Sequence, residues 1–188
     1  MMKRDAALHC LKKHVTDEIV VAVYQTCFDW LAINPRDLNY VATGAMGQAS
    51  SHGLGLALSC PDRNVLVFDG DGSLLMNLGS LVTIAQAEPK NFHHFVFVNG
   101  SYEVNGNHPV PGAGKVVFSA LALAAGYRAV TTFDGLDDLE NRIGDFLAKE
   151  GPAMAVMKIE PGKAYPRDYA YIHSAEARRR FKAALAAG

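Results

Sequence analysis

The chain has 188 residues, 49% of them hydrophobic and 20% charged, and its formal net charge is −1. This composition predicts one ordinary globular domain over residues 1–188 with a sizeable buried core, and it provides no basic surplus for binding nucleic acid. No segment approaches the roughly 20 apolar residues of a membrane span, and the N-terminus lacks an apolar signal core, so we expect no membrane association and a cytoplasmic protein.

The three cysteines, Cys10, Cys27 and Cys60, are odd in number, and none belongs to a CxxC pair. A disulfide framework or a cysteine zinc site is therefore not expected. Reduced, partly buried thiols are the prediction.

Six apolar, β-rich runs recur along the chain, at residues 19–23, 40–43, 65–69, 95–99, 128–131 and 153–159. Several are nearly continuous rather than alternating, which is typical of parallel strands covered on both faces. Helical patterns lie between and after them, at residues 48–59, 74–87, 115–125, 136–149 and 174–187. This alternation predicts a doubly wound α/β domain, with a parallel sheet of about six strands and helices on both faces.

The third predicted strand ends in the sequence Gly70, Asp71, Gly72 and Ser73, and a helical pattern follows it. In open α/β sheets, ligands bind beyond the carboxyl ends of the strands. The glycines allow a close approach of the backbone to a ligand, and the helix start offers free N–H groups that suit phosphate. A plain strand-to-helix turn with an aspartate cap is the alternative.

The next buried run ends in Asn99, Gly100, Ser101 and Tyr102. If the two strands are adjacent and parallel, Asn99 lies beside Asp71. Magnesium takes oxygen ligands, few of them from protein, and phosphates and water complete its shell. One carboxylate, one amide oxygen and one backbone carbonyl form a plausible protein share, although an Asn-Gly pair can also be a simple turn.

The pairing of GDGS with Asn99, with 27 residues between Asp71 and Asn99, resembles the thiamine diphosphate-binding motif. Residues 44–47 (GAMG), followed by QASSHGLGLAL and PDRNVLVFDGDGSLLMNLGSL, resemble the cofactor-binding domain of the sulfopyruvate and phosphonopyruvate decarboxylases. The similarity extends from about residue 19 to residue 162 and is densest between residues 40 and 106.

The resemblance implies a site for thiamine diphosphate and Mg²⁺. Asp71, the Asn99 side chain and the Ser101 carbonyl would bind Mg²⁺, and the N–H groups of Gly72 and Ser73 would bind the diphosphate.

Two further positions would meet the organic part of the cofactor. The Gly44 carbonyl would contact the aminopyrimidine, and Met46 would support the bent conformation of the cofactor. The full set of implied cofactor-binding residues is Gly44, Ala45, Met46, Gly70, Asp71, Gly72, Ser73, Asn99, Ser101 and Tyr102.

Some positions depart from the pattern of that family. Gln48 stands where relatives often have His, and Ala45 where they often have Ser. Residues 24–26 replace a Thr-Gly segment, and residues 104–108 replace a Thr-Gly-Gly-Gln run. These departures lie where diphosphate and substrate contacts are expected, so the identity of the 2-oxo acid stays open.

The resemblance also implies a partner. In the family, the glutamate that protonates the pyrimidine ring lies on a separate pyrimidine-binding domain, for which 188 residues leave no room. A pyrimidine-binding (alpha) subunit would supply this catalytic residue within a homo- or hetero-oligomer, and the pair would decarboxylate a small 2-oxo acid.

Other functions stay open. The same cofactor could serve ligation, as in acetolactate synthase, or oxidation, as in 2-oxoacid:ferredoxin oxidoreductase, although the chain has no cysteine cluster for an iron–sulfur centre. A nicotinamide-dependent dehydrogenase is disfavoured because no GxGxxG follows the first strand. A domain that kept the fold without catalysis is the remaining alternative.

Overall fold

A computed structural model describes residues 1–41, 46–163 and 165–187. The strands in these ranges are β1 (Met2–Lys3), β2 (Ile19–Ala22), β3 (Asn39–Val41), β4 (Val65–Gly70), β5 (Phe92–Val98), β6 (Ser101–Tyr102), β7 (His108–Pro109), β8 (Ala129–Phe133) and β9 (Ala153–Glu160). The helices are α1 (Arg4–Lys12), α2 (Tyr24–Ile33), α3 (Ala49–Ser59), α4 (Asp71–Leu75), α5 (Gly79–Ala87), α6 (Phe118–Ala125), α7 (Leu136–Leu147), α8 (Tyr169–Ile172) and α9 (Ala175–Ala186).

Seven strands form one parallel sheet in the order β1-β9-β5-β4-β2-β3, and β8 pairs with β9 on the same side as β1. All six predicted strands are present, and the predicted doubly wound α/β fold is confirmed. The additional strand, β1, has only two residues, too few to produce a hydrophobic pattern. Strands β6 and β7 form a separate antiparallel pair.

Both faces of the sheet are buried, which explains the continuous apolar runs. In β4, Leu66 and Phe68 contribute to the core on one face, where Trp30 of α2 also lies. Val65 and Val67 alternate with them and contribute to the core on the other face. Because side chains alternate along a strand, a strand that is covered on both faces needs apolar residues at every position.

The predicted helix over residues 74–87 is two helices. Helix α4 begins at Asp71, the chain turns after Leu75, and α5 starts at Gly79. At the break, the Asn77 side-chain amide donates a hydrogen bond to the Gly47 carbonyl at 2.9 Å. A side chain that binds a neighbouring loop in this way competes with the regular helix.

Helices α1 and α2 were not predicted from the sequence. In α1, Ala7, Leu8 and Leu11 are buried at helical spacing, so the pattern was present but short. Helix α2 starts directly at the end of β2, where Tyr24 adopts a left-handed conformation with φ of 48°. Within the described ranges, each helix is too short or too polar to span a bilayer.

Candidate functional site

The carboxyl ends of β2, β4 and β5 meet at one edge of the sheet and enclose a pocket. Eight of the residues predicted from the sequence line this single pocket: Met46, Gly70, Asp71, Gly72, Ser73, Asn99, Ser101 and Tyr102. The other two, Gly44 and Ala45, lie outside the described residues. The sheet topology therefore places these eight residues, which the sequence motif predicted to form one site, around one pocket.

Asp71 lines the pocket and is 2% exposed. Its Oδ2 accepts hydrogen bonds from the backbone N–H groups of Gly100 at 2.7 Å and Asn99 at 3.1 Å. Its Oδ1 accepts one from the Gly72 N–H at 2.8 Å. Burial raises the pKa of the Asp71 carboxyl, although these backbone donors act in the opposite direction.

No ion pair between described residues involves Asp71. A buried carboxylate without a cationic partner is unfavourable, because its charge has lost the solvation of water. Its Oδ1, which accepts from Gly72 alone, also retains a lone pair for a further contact. The arrangement fits a cation bound beside Asp71.

The loop after β5 places further oxygen atoms beside this carboxylate. The Asn99 side-chain oxygen accepts a hydrogen bond from the Ser101 N–H at 2.9 Å. The next strand pair, β6 and β7, aligns Ser101 with Pro109 and Tyr102 with His108. The loop is therefore held by its own hydrogen bonds before any ligand enters.

Gly72 and Ser73 also line the pocket, where Gly72 packs against the loop. A Cβ atom added at Gly72 would lie 2.3 Å from a ring carbon of Tyr102, so only glycine fits there without movement of the ring. The Tyr102 hydroxyl donates a hydrogen bond to the Gly72 carbonyl at 3.4 Å. Ser73 accepts a hydrogen bond from the Gly47 N–H at 3.0 Å, which joins this side of the pocket to the residues that precede α3.

The first turn of α2 forms a third side of the pocket, through Tyr24, Gln25 and Thr26. The first N–H groups of a helix have no partner within it and carry the positive end of its dipole. Residues 24–26 depart from the Thr-Gly segment of relatives, yet they line the same pocket as the start of α4. Two helix starts directed at one pocket suit an anion of high charge, such as a diphosphate.

Three charged residues near this pocket were missed by sequence reasoning: Arg4, Asp29 and Glu103. Arg4 and Glu103 line the pocket, and Arg4 forms ion pairs with both carboxylates. Arg4 and Glu103 are 99 positions apart in the sequence, so no local spacing could have indicated their contact.

Comparison with known proteins decides the family. The model for the thiamine pyrophosphate enzyme C-terminal TPP binding domain matches residues 22–157. The chain belongs to this family. The matched range contains every residue of the predicted cofactor site, and thiamine pyrophosphate is the same compound as thiamine diphosphate.

Relatives within the family include decarboxylases. The chain is 40% identical over 151 residues to the phosphonopyruvate decarboxylase of Streptomyces viridochromogenes, covering 80% of this chain and 38% of that protein. It is 34% identical over 161 residues to the sulfopyruvate decarboxylase subunit beta of Methanococcus maripaludis, covering 85% of each chain. The chain thus spans about two fifths of the length of its Streptomyces relatives.

Solved structures agree on the fold. A structure described as a thiamin diphosphate-dependent enzyme from Mycobacterium smegmatis superimposes with a TM-score of 0.70 at 24% sequence identity. The match covers 85% of this chain and 32% of that one. The TPP-binding domain described here therefore has the architecture of one domain of a larger enzyme.

Among the described residues, no group of three or more His, Cys, Asp or Glu side chains could hold a metal ion. A hard cation at Asp71 would need amide and carbonyl oxygens, and the loop of Asn99 and Ser101 offers both.

Proposed function

We propose that this chain is the thiamine diphosphate- and Mg²⁺-binding subunit of a 2-oxo acid decarboxylase of the sulfopyruvate or phosphonopyruvate type. The observation that carries the proposal is the buried Asp71 carboxylate, which lacks a cationic partner among the described residues and contacts the Asn99 loop. The relatives named as decarboxylases support the reaction type.

Mg²⁺ would be held by Asp71, the Asn99 side-chain oxygen and the Ser101 carbonyl. The phosphate oxygens and water would complete its shell, as is usual for Mg²⁺ at phosphate sites. The Ser73 N–H at the start of α4 and the N–H groups at the start of α2 would donate to the diphosphate, whereas the Gly72 N–H donates to Asp71. Because a diphosphate and Mg²⁺ neutralise one another, the two are expected to bind as a unit.

Thiamine diphosphate, when bound, supplies the electron sink that allows a 2-oxo acid to lose CO₂. The chain itself binds and orients the cofactor. Tyr102 covers the Gly72 backbone, which forms part of the proposed diphosphate site. Met46 lines the same pocket, where we propose that it supports the bent conformation of the cofactor.

The catalytic glutamate would come from a pyrimidine-binding (alpha) subunit, with the active site at the interface. The 85% mutual coverage with a relative named as a subunit beta supports this division of labour. We further propose that residues 1–188 act as one diphosphate-binding domain, and that the isolated chain has no decarboxylase activity.

The test is a titration of the complex with its pyrimidine-domain subunit. Thiamine diphosphate is added with Mg²⁺ and then with EDTA, and CO₂ release is measured with sulfopyruvate and phosphonopyruvate. Asp71→Ala should abolish cofactor binding, and Asn99→Ala should weaken it at least about tenfold, as loss of metal contacts commonly does. Asp62→Ala, at an exposed position, is the control.

Tight binding that is indifferent to both EDTA and Asp71→Ala would overturn the proposed site. CO₂ release accompanied by condensation of two 2-oxo acids, in place of release of an aldehyde, would favour the acetolactate synthase type of reaction. Binding without turnover of any 2-oxo acid would indicate a non-catalytic domain.

A further inference from the structure

Arg4, the first residue of α1, is 4% exposed. Arginine is almost never buried to this extent unless its charge is paired. Its Nε donates to the Asp29 carboxylate at 2.6 Å, and its Nη1 donates to the Glu103 carboxylate. One guanidinium therefore joins three segments that are far apart in the sequence.

Asp29 connects this guanidinium to the first turn of α2. It is 1% exposed, and its Oδ1 accepts a hydrogen bond from the Gln25 side-chain amide at 2.9 Å. Gln25 lines the proposed diphosphate pocket. One carboxylate oxygen of Asp29 therefore binds Arg4, and the other binds Gln25 in the wall of the pocket.

Glu103 connects the same guanidinium to residues 99–102, the proposed metal loop. It begins the short 3-10 turn Glu103–Asn105, directly after Ser101 and Tyr102. Its side chain is 14% exposed. The position of this carboxylate therefore sets where the chain leaves the metal loop.

We propose that Arg4 is a positioning residue, which holds the start of α2 and the metal loop at the separation that the magnesium–diphosphate unit requires. The inference rests on the proposed function of the same pocket. The Arg4 cluster consists of Arg4, Asp29, Gln25 and Glu103. Without the guanidinium, the carboxylates of Asp29 and Glu103 would repel one another, and the loop would move away from α2.

The charges of the Arg4 cluster argue for positioning rather than for direct phosphate binding. One cationic side chain faces two carboxylates, so the cluster carries a net negative charge. The Arg4 guanidinium already donates to both carboxylates. The planar guanidinium of arginine suits hydrogen bonds to two separate acceptors better than the compact ammonium of lysine.

The first experiment measures hydrogen exchange in the unliganded full-length chain. The Asn107 amide donates to the Tyr102 carbonyl at 3.1 Å, and the Val110 amide donates to the Gly100 carbonyl at 3.0 Å, so both report closure of the loop. Arg4→Met and Glu103→Gln should accelerate their exchange at least about tenfold, because local opening becomes easier. Amides of α7 should not change.

The matched control is Lys3→Met, which removes the adjacent positive charge. Lys3 pairs with Glu160 at the surface, with 57% of its side chain exposed. The substitution should leave the exchange rates of both amides as in the wild type. Glu103→Gln removes a partly exposed charge from the loop alone, so it decides the question if Arg4→Met does not fold.

The second experiment uses the complex with the pyrimidine-domain subunit. In Arg4→Met and in Glu103→Gln, KM for thiamine diphosphate should rise about tenfold, while kcat at saturating cofactor stays within about twofold, as expected when binding geometry alone is lost. Arg4→Lys should restore part of the affinity. The double variant Arg4→Met/Glu103→Gln should be no worse than Arg4→Met, because the pair acts as a unit.

Additive losses in the double variant, or wild-type exchange of Asn107 and Val110 in Glu103→Gln, would overturn the positioning role. Equal cofactor affinity in the wild-type complex and in the substituted complexes would also overturn the positioning role, and it would leave the proposed function intact. Failure of the wild-type complex to bind thiamine diphosphate would overturn the proposed function instead, and hydrogen exchange would still decide whether Arg4 holds the loop.

Discussion

The ring of Tyr102 lies directly against the backbone of Gly72, where an added Cβ would come within 2.3 Å of a ring carbon. The contact joins the loop after β5 to the first turn of α4. The first turn of α4 contains Asp71, and the loop donates backbone hydrogen bonds to its carboxylate. The pocket therefore depends on a residue without a side chain at position 72.

Gly72→Ala should push the ring of Tyr102 away from α4. Overpacking of this kind costs about 1–3 kcal/mol of the free energy of unfolding. We also expect the affinity for thiamine diphosphate to fall at least about tenfold in the complex, because the loop carries proposed metal ligands. Chemical denaturation and cofactor titration measure the two effects.

Gly79→Ala provides the control for this substitution, because nothing lies within 4 Å of a Cβ added at Gly79. It should leave both quantities close to those of the wild type. If Gly72→Ala behaved like Gly79→Ala in the cofactor titration, the contact with Tyr102 would have no part in binding.

The strands and the site motif could be predicted because their signals are local. A strand buried on both faces needs apolar residues throughout, and Asp71 and Asn99 each follow such a run directly. Because β4 and β5 are neighbours in the sheet, these two local signals meet in one pocket.

The parts that could not be predicted depend on distant contacts. Arg4 meets Asp29 and Glu103 across 25 and 99 positions, and nothing in its own neighbourhood indicates a buried charge. The break between α4 and α5 has the same kind of cause, because Asn77 binds a carbonyl 30 positions away. Such contacts follow from the packing of the finished fold.

Gly53 and Gly55 of α3 offer a comparison within one helix. A Cβ at Gly53 would lie 2.2 Å from Val67 Cγ2 on β4, whereas nothing lies within 4 Å of one at Gly55. Gly53→Ala should therefore lower the free energy of unfolding by about 1–3 kcal/mol, because α3 must move off the sheet. Gly55→Ala should raise it by about 0.5–1 kcal/mol, because alanine favours the helix. Urea denaturation of both variants tests the pair, and equal effects would contradict the close packing of α3 on β4.

The three thiols should differ in reactivity. Burial raises the pKa of Cys27 to about 12, and burial also raises the pKa of Cys10. Because the thiolate is the reactive form, Cys27 of the native chain should react with iodoacetamide near pH 8 at least about a hundredfold more slowly than the partly exposed Cys60. Peptide mass spectrometry measures the order in which the three thiols are labelled. All three thiols should react in urea. Early labelling of Cys27 would show that α2 opens readily in the native state.

His93 should make stability depend on pH. It lies within β5 and is 1% exposed, its Nε2–H donates to the Lys149 carbonyl at 3.0 Å, and its buried Nδ1 has no partner among the described residues. Burial lowers the pKa of His93, whereas in the unfolded chain a histidine titrates near about 6.5. Protons therefore bind the unfolded state more readily, so the contribution of His93 to stability is fully present above about pH 6.5 and is lost as the pH falls toward the lowered pKa.

His93→Gln should flatten this dependence, because glutamine keeps an N–H donor for the Lys149 carbonyl and does not titrate in this range. The measurement is the free energy of unfolding in urea at several values between about pH 5 and pH 8, the range where histidine changes charge. His173→Gln, at an exposed position, is the matched control and should retain the slope of the wild type. A slope that disappears in His173→Gln and persists in His93→Gln would show that the buried imidazole of β5 is not the group that responds to pH.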